Sequence, residues 1–201
     1  MAEMKKKRGL VIGVDMDDVI FDFNDSLHAY HNAKYGTSVK RQDVVTYDLE
    51  DVWKCTPEEA ARRVLEFYGT PEHDQAGLIN GAAEAIVELS KTHELHIITS
   101  RGEQIRELTL RWVDEKFPGR FKSVQLTNHY FGVPEKKRSK AEVCEELGVD
   151  FMIEDSMSQA KEISGTGRTV FLLDTPWNQG ELPKNVVRVH SWAEIVDTLK
   201  K

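Results

Sequence analysis

The stretch that decides the fold reads Gly9-Leu10-Val11-Ile12-Gly13-Val14-Asp15-Met16-Asp17-Asp18-Val19-Ile20-Phe21-Asp22-Phe23. A short apolar run, Leu10 to Val14, ends abruptly in Asp15-Met16-Asp17-Asp18, and Val19-Ile20-Phe21 then returns to apolar residues. An apolar run bounded by charge reads as a buried strand of the kind covered on both faces in a parallel sheet. Three carboxylates crowded at its C-terminal end repel one another, so the crowding calls for a cation or a shared proton. Ligands of open α/β sheets bind at the carboxyl ends of strands. The stretch is therefore both the first strand and the first candidate for a site.

Working outward, Asn24 to Tyr35 reads as a helix, with Asn24 or Asp25 as its cap and Gly36 as its end. Thr37 to Trp53 reads as polar and irregular. Thr56-Pro57-Glu58-Glu59 is a helix opening, with Thr56 as N-cap and Pro57 at the first helical position; that helix runs to Tyr68. Thr70 to Asn80 reads as a loop or short turn. From Gly81 onward strand and helix alternate. Helices are expected over 82–91, 103–117, 139–147, 156–163 and 192–199. Strands are expected over 94–98, 121–126, 150–153, 168–173 and 186–189. The loop from Asn128 to Arg138 carries Gly132 and Pro134, and Asp174-Thr175-Pro176-Trp177 follows the fifth strand. The alternation predicts an α/β fold, a Rossmann-like three-layer α/β/α parallel sheet with right-handed crossovers. A helical segment sits directly after strand one, so both its ends lie at the carboxyl end of the sheet, where it can close over the site as a small cap.

Composition narrows the function classes. The 201 residues are 40% hydrophobic and 30% charged, as in a soluble globular protein. No apolar run approaches the roughly 18 residues of a membrane span. The basic leader Met1–Arg8 lacks a signal-peptide core and reads as a solvated tail. A net charge of −7 argues against a nucleic-acid polymer as partner, but it leaves room for a small phosphorylated substrate. Two cysteines, Cys55 and Cys144, make no disulfide framework and suit a reducing cytoplasm.

Four polar clusters follow apolar runs or open a helix: Asp15/Asp17, Thr99/Ser100, Lys140 and Glu154/Asp155. In a doubly wound sheet they converge on one crevice, and a Mg²⁺-dependent phosphoryl-transfer site is the reading that suits them. In order and spacing they resemble the four motifs of the haloacid-dehalogenase-like (HAD) superfamily of phosphohydrolases, across nearly the whole chain. Asp-Met-Asp-x-Val with Asp22-Phe23 close behind, the helical segment and Ile98-Thr99-Ser100 are most similar to the 5′(3′)-deoxyribonucleotidase branch, the cytosolic 5′-nucleotidases of type C. The fourth motif is Glu-Asp here where better-known members have Asp-Asp.

The resemblance implies an HAD-like core domain of residues 1–22 and 80–201 and a C1-type helical cap of residues 23–79. It implies Asp15 as nucleophile, passing through an aspartyl-phosphate, and Asp17 as general acid and base. It implies Mg²⁺ held by the Asp15 side chain, the Asp17 backbone carbonyl and the Asp155 side chain. Thr99 and Ser100 would hold phosphate oxygens, Lys140 would neutralise Asp15 and the transferring group, and Glu154 would orient Lys140 or a metal-bound water. Stacking of cap aromatics on a base would involve Tyr47 and Trp53 first, with Phe21, Phe23, Phe67 and Tyr68 as the other candidates. Arg101 has two readings, a substrate contact and a surface cation. Asp18 stands where the superfamily often has glycine and has no assigned task. His28 and His31, three apart on a helix, read as a surface pair rather than a zinc site. The expected function is hydrolysis of nucleoside or deoxynucleoside monophosphates. The alternatives are a phosphatase or phosphomutase acting on another small metabolite such as a sugar phosphate, and a non-catalytic binding protein on the same fold.

Overall fold

A computed structural model describes residues 9–128 and 137–200. The expected leader tail and most of the expected loop between Asn128 and Arg138 lie outside the described residues. Within them six strands form one parallel sheet: β1 (Val11–Val14), β2 (Glu94–Thr99), β3 (Ser123–Leu126), β4 (Phe151–Glu154), β5 (Thr169–Leu173) and β6 (Val186–Val189). Their order is β3-β2-β1-β4-β5-β6, so the chain reverses its direction of travel across the sheet between β1 and β4.

The alternation of side chains along each strand splits the core into two layers. Ile12, Val14, Leu95, Ile97, Ile153 and Phe171 face one way, against Ala85 and Ile86 of α5 (Ala82–Leu89), Trp112 and Val113 of α6 (Arg106–Lys116), and Trp192 and Ile195 of α9 (Trp192–Leu199). Ile98, Met152, Val170 and Leu172 face the other way, against Val143 and Cys144 of α7 (Lys140–Leu147) and Ala160 and Ile163 of α8 (Met157–Gly165). This is the expected three-layer α/β/α arrangement. Trp192 also reaches beneath the acidic turn, where its indole N–H donates to the Val19 carbonyl at 2.9 Å.

Between β1 and α5 lie α1 (Phe23–Tyr35), α2 (Leu49–Trp53), α3 (Pro57–Phe67) and α4 (Pro71–Asp74), which add no strand to the sheet. The two ends of this helical segment are tied together, Asp22 N–H to the Gly77 carbonyl and Ile79 N–H to the Ile20 carbonyl, each at 3.0 Å. Its buried Trp53, Ala60, Val64 and Phe67 belong to the same hydrophobic cluster as Ile12 and Val14 of the sheet. Thr56 caps α3 as expected, its hydroxyl accepting from the Glu59 amide.

Several local expectations are corrected. The segment from Thr37 to Trp53 is not irregular throughout: it holds a 3₁₀ turn, Arg41–Asp43, and then α2. The stretch expected as a loop after Thr70 contains α4, opened by Thr70 and Pro71 as Thr56 and Pro57 open α3. A 3₁₀ turn, Glu103–Ile105, stands between the end of β2 and α6. The N-cap of α1 is Asp22, without a side-chain cap. Asp18 takes the free amide of Asn24 instead, at 3.2 Å, and receives the Asn24 side-chain amide at 2.7 Å. This gives Asp18 a structural task. Its backbone is left-handed (φ 57°), the conformation that glycine adopts most cheaply.

His28 and His31 are not a surface pair: they are 2% and 0% exposed. His28 Nδ1 bonds the Asn24 carbonyl at 2.8 Å, and His31 Nδ1 bonds the Thr37 hydroxyl at 2.9 Å. The His31 ring stacks on Trp53, with centroids 4.2 Å apart and planes at 10°. Burial first, then the nearby Arg63 guanidinium, pulls the His31 pKa down from 6.5 to about 4. Burial lowers His28 and His73 as well. The unfolded chain therefore takes up protons before the folded one, and His31 loses stability for the fold as pH falls from about 6.5 towards 4, with His28 and His73 acting in the same direction. In urea unfolding, the loss over that range is expected to be smaller in His31→Gln than in the unsubstituted protein; equal slopes would remove His31 from the account.

Candidate active site

The register between β1 and β4 pairs Val14 with Ile153, and the Asp15 N–H continues it by donating to the Ile153 carbonyl at 2.9 Å. Asp15 thus leaves the sheet beside Glu154 and Asp155, at the place where the strand order reverses and where doubly wound sheets bind ligands. All three carboxylates are buried, and each offers an oxygen within 4.8 Å of the others.

Lys140 joins this group from α7. Ser139 and Glu142 form a reciprocal capping box, the hydroxyl accepting from the Glu142 amide at 3.0 Å and the carboxylate from the Ser139 amide at 2.8 Å. The box fixes Lys140 at the first helical position. Its Nζ, 2% exposed, lies 2.9 Å from Asp15 Oδ2 and also donates to Glu154 Oε1. The other Glu154 oxygen accepts the backbone amides of Asp155 and Ser156, both at 2.9 Å. Glu154 is therefore saturated by Lys140 and the chain, whereas Asp15 Oδ1 is buried without a partner among the described residues.

The electrostatics follow from this crowding. Burial and then Glu154 push Asp15 up to about 8, against the pull of Lys140. Burial, Glu154 and Asp15 hold Asp155 well above the ordinary carboxylate range. Burial would lower Lys140, but Asp15 and Glu154 override it and keep the ammonium charged. One cation thus faces three buried carboxylates. A divalent oxygen-seeking ion fits the donor set, since Mg²⁺ is held by one or two carboxylates plus substrate and water, and the orphaned Asp15 oxygen offers it a place.

Asp17 and Arg101 form the second half of the site. Arg101 is 3% exposed, which removes its surface reading. Its Nη2 donates to Asp17 Oδ1 at 2.6 Å and its Nε to Oδ2 at 3.1 Å. The guanidinium lies over the rings of Phe21 and Tyr68, 4.7 and 5.4 Å from their centroids, and Nη1 reaches the Thr109 hydroxyl at 3.2 Å. Thr99, at the end of β2, is fully buried, and its hydroxyl accepts the Arg101 amide at 3.3 Å.

A cavity of about 280 Å³ opens above these groups. Asp15, Asp17, Ser100, Arg101 and Gly102 contribute to its wall from the sheet side, and Phe23, Val44, Tyr47, Leu49, Val64 and Tyr68 from the helical segment. Tyr47 points its hydroxyl at Asp155, 3.2 Å from Oδ1. Trp53 does not line the cavity, so its expected contact with substrate is corrected to packing. Formation of α2 turns the ring inward onto His31. Phe21 and Phe67 are likewise fully buried.

The family described as "5' nucleotidase, deoxy (Pyrimidine), cytosolic type C protein" matches residues 9–201. The chain belongs to this family. It is an HAD-like phosphatase, a hydrolase of phosphoric monoesters. A nucleotidase-named protein of Halalkalibacterium halodurans is 29% identical over 196 residues, covering 96% of this chain and 93% of its own. The 5′(3′)-deoxyribonucleotidase of Bacillus subtilis is 24% identical over 190 residues, covering 92% and 95%. A haloacid dehalogenase-like hydrolase of Streptococcus pneumoniae shares the fold, with a TM-score of 0.70 at 15% identity, covering 95% of this chain and 98% of its own.

Arg41 and Trp177 join the site unannounced by the sequence. Arg41 Nη1 pairs with Asp18 at 3.0 Å, and its guanidinium lies 5.0 Å from the Trp177 ring centroid. Arg41 had no signal, standing in a polar stretch with other charges. Trp177 had a weak one, since it follows β5 at the same edge of the sheet as the other clusters.

Proposed function

We propose that the chain is a Mg²⁺-dependent nucleoside or deoxynucleoside monophosphate phosphatase that works through an aspartyl-phosphate on Asp15. The observation that carries the reading is Asp15 itself: buried, 2.9 Å from Lys140, with one oxygen unpartnered, beside Asp155 and on the wall of the cavity. The Asp15 and Asp155 side chains and the Asp17 carbonyl would hold Mg²⁺. When bound, the ion supplies positive charge that offsets both the carboxylate crowding and the charge of a phosphate dianion.

Asp15 attacks phosphorus as the bond to the leaving oxygen breaks, and Asp17 gives that oxygen its proton. In the second half Asp17 takes a proton from water, the water oxygen bonds phosphorus, and the Asp15–phosphorus bond breaks to release phosphate. Lys140 holds charge beside Asp15 throughout. Arg101 fixes where the Asp17 carboxylate stands, Ser100 on the cavity wall would take a phosphate oxygen, and Thr99, buried behind it, accepts the Arg101 amide. Residues 23–79 act as a cap, and Phe23, Tyr47 and Tyr68 offer faces for a base. A cytoplasmic location is part of the same reading; among the described residues no helix is long and apolar enough to cross a membrane.

A panel of 5′- and 3′-nucleotides, sugar phosphates and an aryl phosphate, assayed for phosphate release, tests this. Nucleotides are expected to be preferred, with activity lost in EDTA and restored by Mg²⁺. Turnover of sugar phosphates alone would overturn the substrate, activity in chelator would overturn the metal, and silence on every ester would overturn catalysis.

A further inference from the structure

We infer that Trp177 is a positioning residue for Asp155: its indole N–H fixes the rotation of the carboxylate that takes Mg²⁺. The inference rests on the metal reading above and assigns a task to the Thr-Pro-Trp-Asn turn after β5.

The turn grips Asp155 at two points. Trp177 Nε1 donates to Asp155 Oδ2 at 2.8 Å, and the Asn178 side-chain amide donates to the Asp155 carbonyl at 2.7 Å. Asn178 is anchored in turn. Its amide also reaches the Leu173 carbonyl at 2.7 Å, and Arg188 of β6 donates to its side-chain oxygen at 2.6 Å and to its carbonyl at 2.7 Å. Pro176 presets the start of the 3₁₀ turn. The Trp177 ring is 9% exposed and carries the Arg41 guanidinium on its face. The turn is thus tied to β5 and β6, and the group it directs at the Asp155 carboxylate is the indole N–H.

The alternative support for Asp155 is weaker. Tyr47 reaches both oxygens only at 3.2 and 3.3 Å, and Tyr47 is 39% exposed on the helical segment. A carboxylate held at one oxygen by a fixed donor can turn only a little about its last bond, so its remaining lone pairs keep one direction. Donors behind metal ligands act in this way, and their loss typically costs 10- to 100-fold in affinity. The consequence is selective. Mg²⁺ demands near-ideal octahedral geometry at short distances, whereas Ca²⁺ accepts variable ones. A loosened Asp155 therefore harms Mg²⁺ binding more than Ca²⁺ binding.

Trp177→Phe removes the N–H and keeps an aromatic ring beneath Arg41. Isothermal titration with MgCl₂ and with CaCl₂, without substrate, reads the cation site directly, and thermal unfolding in EDTA reads the fold. The variant is expected to melt within about 2 °C of the unsubstituted protein, to bind Mg²⁺ about tenfold more weakly and to lose clearly less for Ca²⁺. Unchanged Mg²⁺ affinity would overturn the inference. So would equal losses for both cations together with a lower melting temperature, which would make Trp177 a packing residue. If the unsubstituted protein takes up no Mg²⁺, the metal reading itself fails, and that result is independent of the variant.

Discussion

Replacing Lys140 with methionine is expected to cost the metal-free protein about 3–5 kcal/mol of stability, the usual loss when one partner of a buried charge group is removed. Phosphate release should fall at least about 10²- to 10³-fold with it. Lys140 is 2% exposed and stands between Asp15 and Glu154, themselves 4% and 0% exposed. Methionine fills much of the same volume, so packing changes little and the effect isolates the charge. Without it, two buried carboxylates face Asp155 with no side-chain cation among them. Mg²⁺ should return part of the stability, because it adds charge at the same place, but it should not return the activity. Urea unfolding with and without Mg²⁺, beside an assay of phosphate release, separates the two. A variant as stable as the unsubstituted protein in chelator would mean that the triad is not held together by this ammonium.

Asp15→Asn should do the reverse to stability while abolishing turnover. Loss of a nucleophile is expected to reduce kcat by at least about 10⁴-fold. The amide keeps the shape of the side chain and removes one of three crowded charges, so the metal-free fold should be as stable or more stable. The pH dependence supplies the sign. Asp15 sits at about 8 in the fold against 3.8 for the free group, so between those values the folded chain holds a proton that the unfolded chain has released. Its contribution to stability therefore falls as pH rises from about 4 to about 8. The asparagine lacks this penalty, and its advantage over Asp15 in chelator should widen towards pH 8. A variant that unfolds more readily than the unsubstituted protein at pH 8 would contradict the crowding described here.

Much of the architecture was legible because it depends on short-range chemistry. Short apolar stretches marked β1, β4 and β5, and mixed stretches in which apolar and polar residues are interleaved marked β2, β3 and β6. Thr56-Pro57, Ser139 and Gly148 marked helix ends through the amides and carbonyls they satisfy. The site clusters were legible for a related reason. Carboxylates and a lysine next to buried strands are too costly to be accidental. The helical segment was read less well. Its aromatics and histidines sit in polar surroundings, and nothing local distinguishes a ring that faces substrate from one that fills the interior. His28, His31 and Trp53 were all assigned to the outside or to the pocket, and all three are buried against one another.

For this protein the amino-acid sequence by itself determined the α/β alternation, the strand that ends in Asp15-Met16-Asp17-Asp18 and the gathering of Lys140, Glu154 and Asp155 beside Asp15. Each follows from neighbours along the chain or from the rule that parallel strand ends share an edge. Only the tertiary structure decided how those charges are partnered. Arg101 holds Asp17 across 84 positions, Tyr47 reaches Asp155 across 108, and Arg41 and Trp177 meet from opposite sides of the crevice. The physical reason is that a side chain's partner is set by burial and direction, and both arise only when distant segments are packed together. The crowded carboxylates at the end of β1 called for a cation; the fold placed one lysine, one clamped arginine and an indole N–H around them.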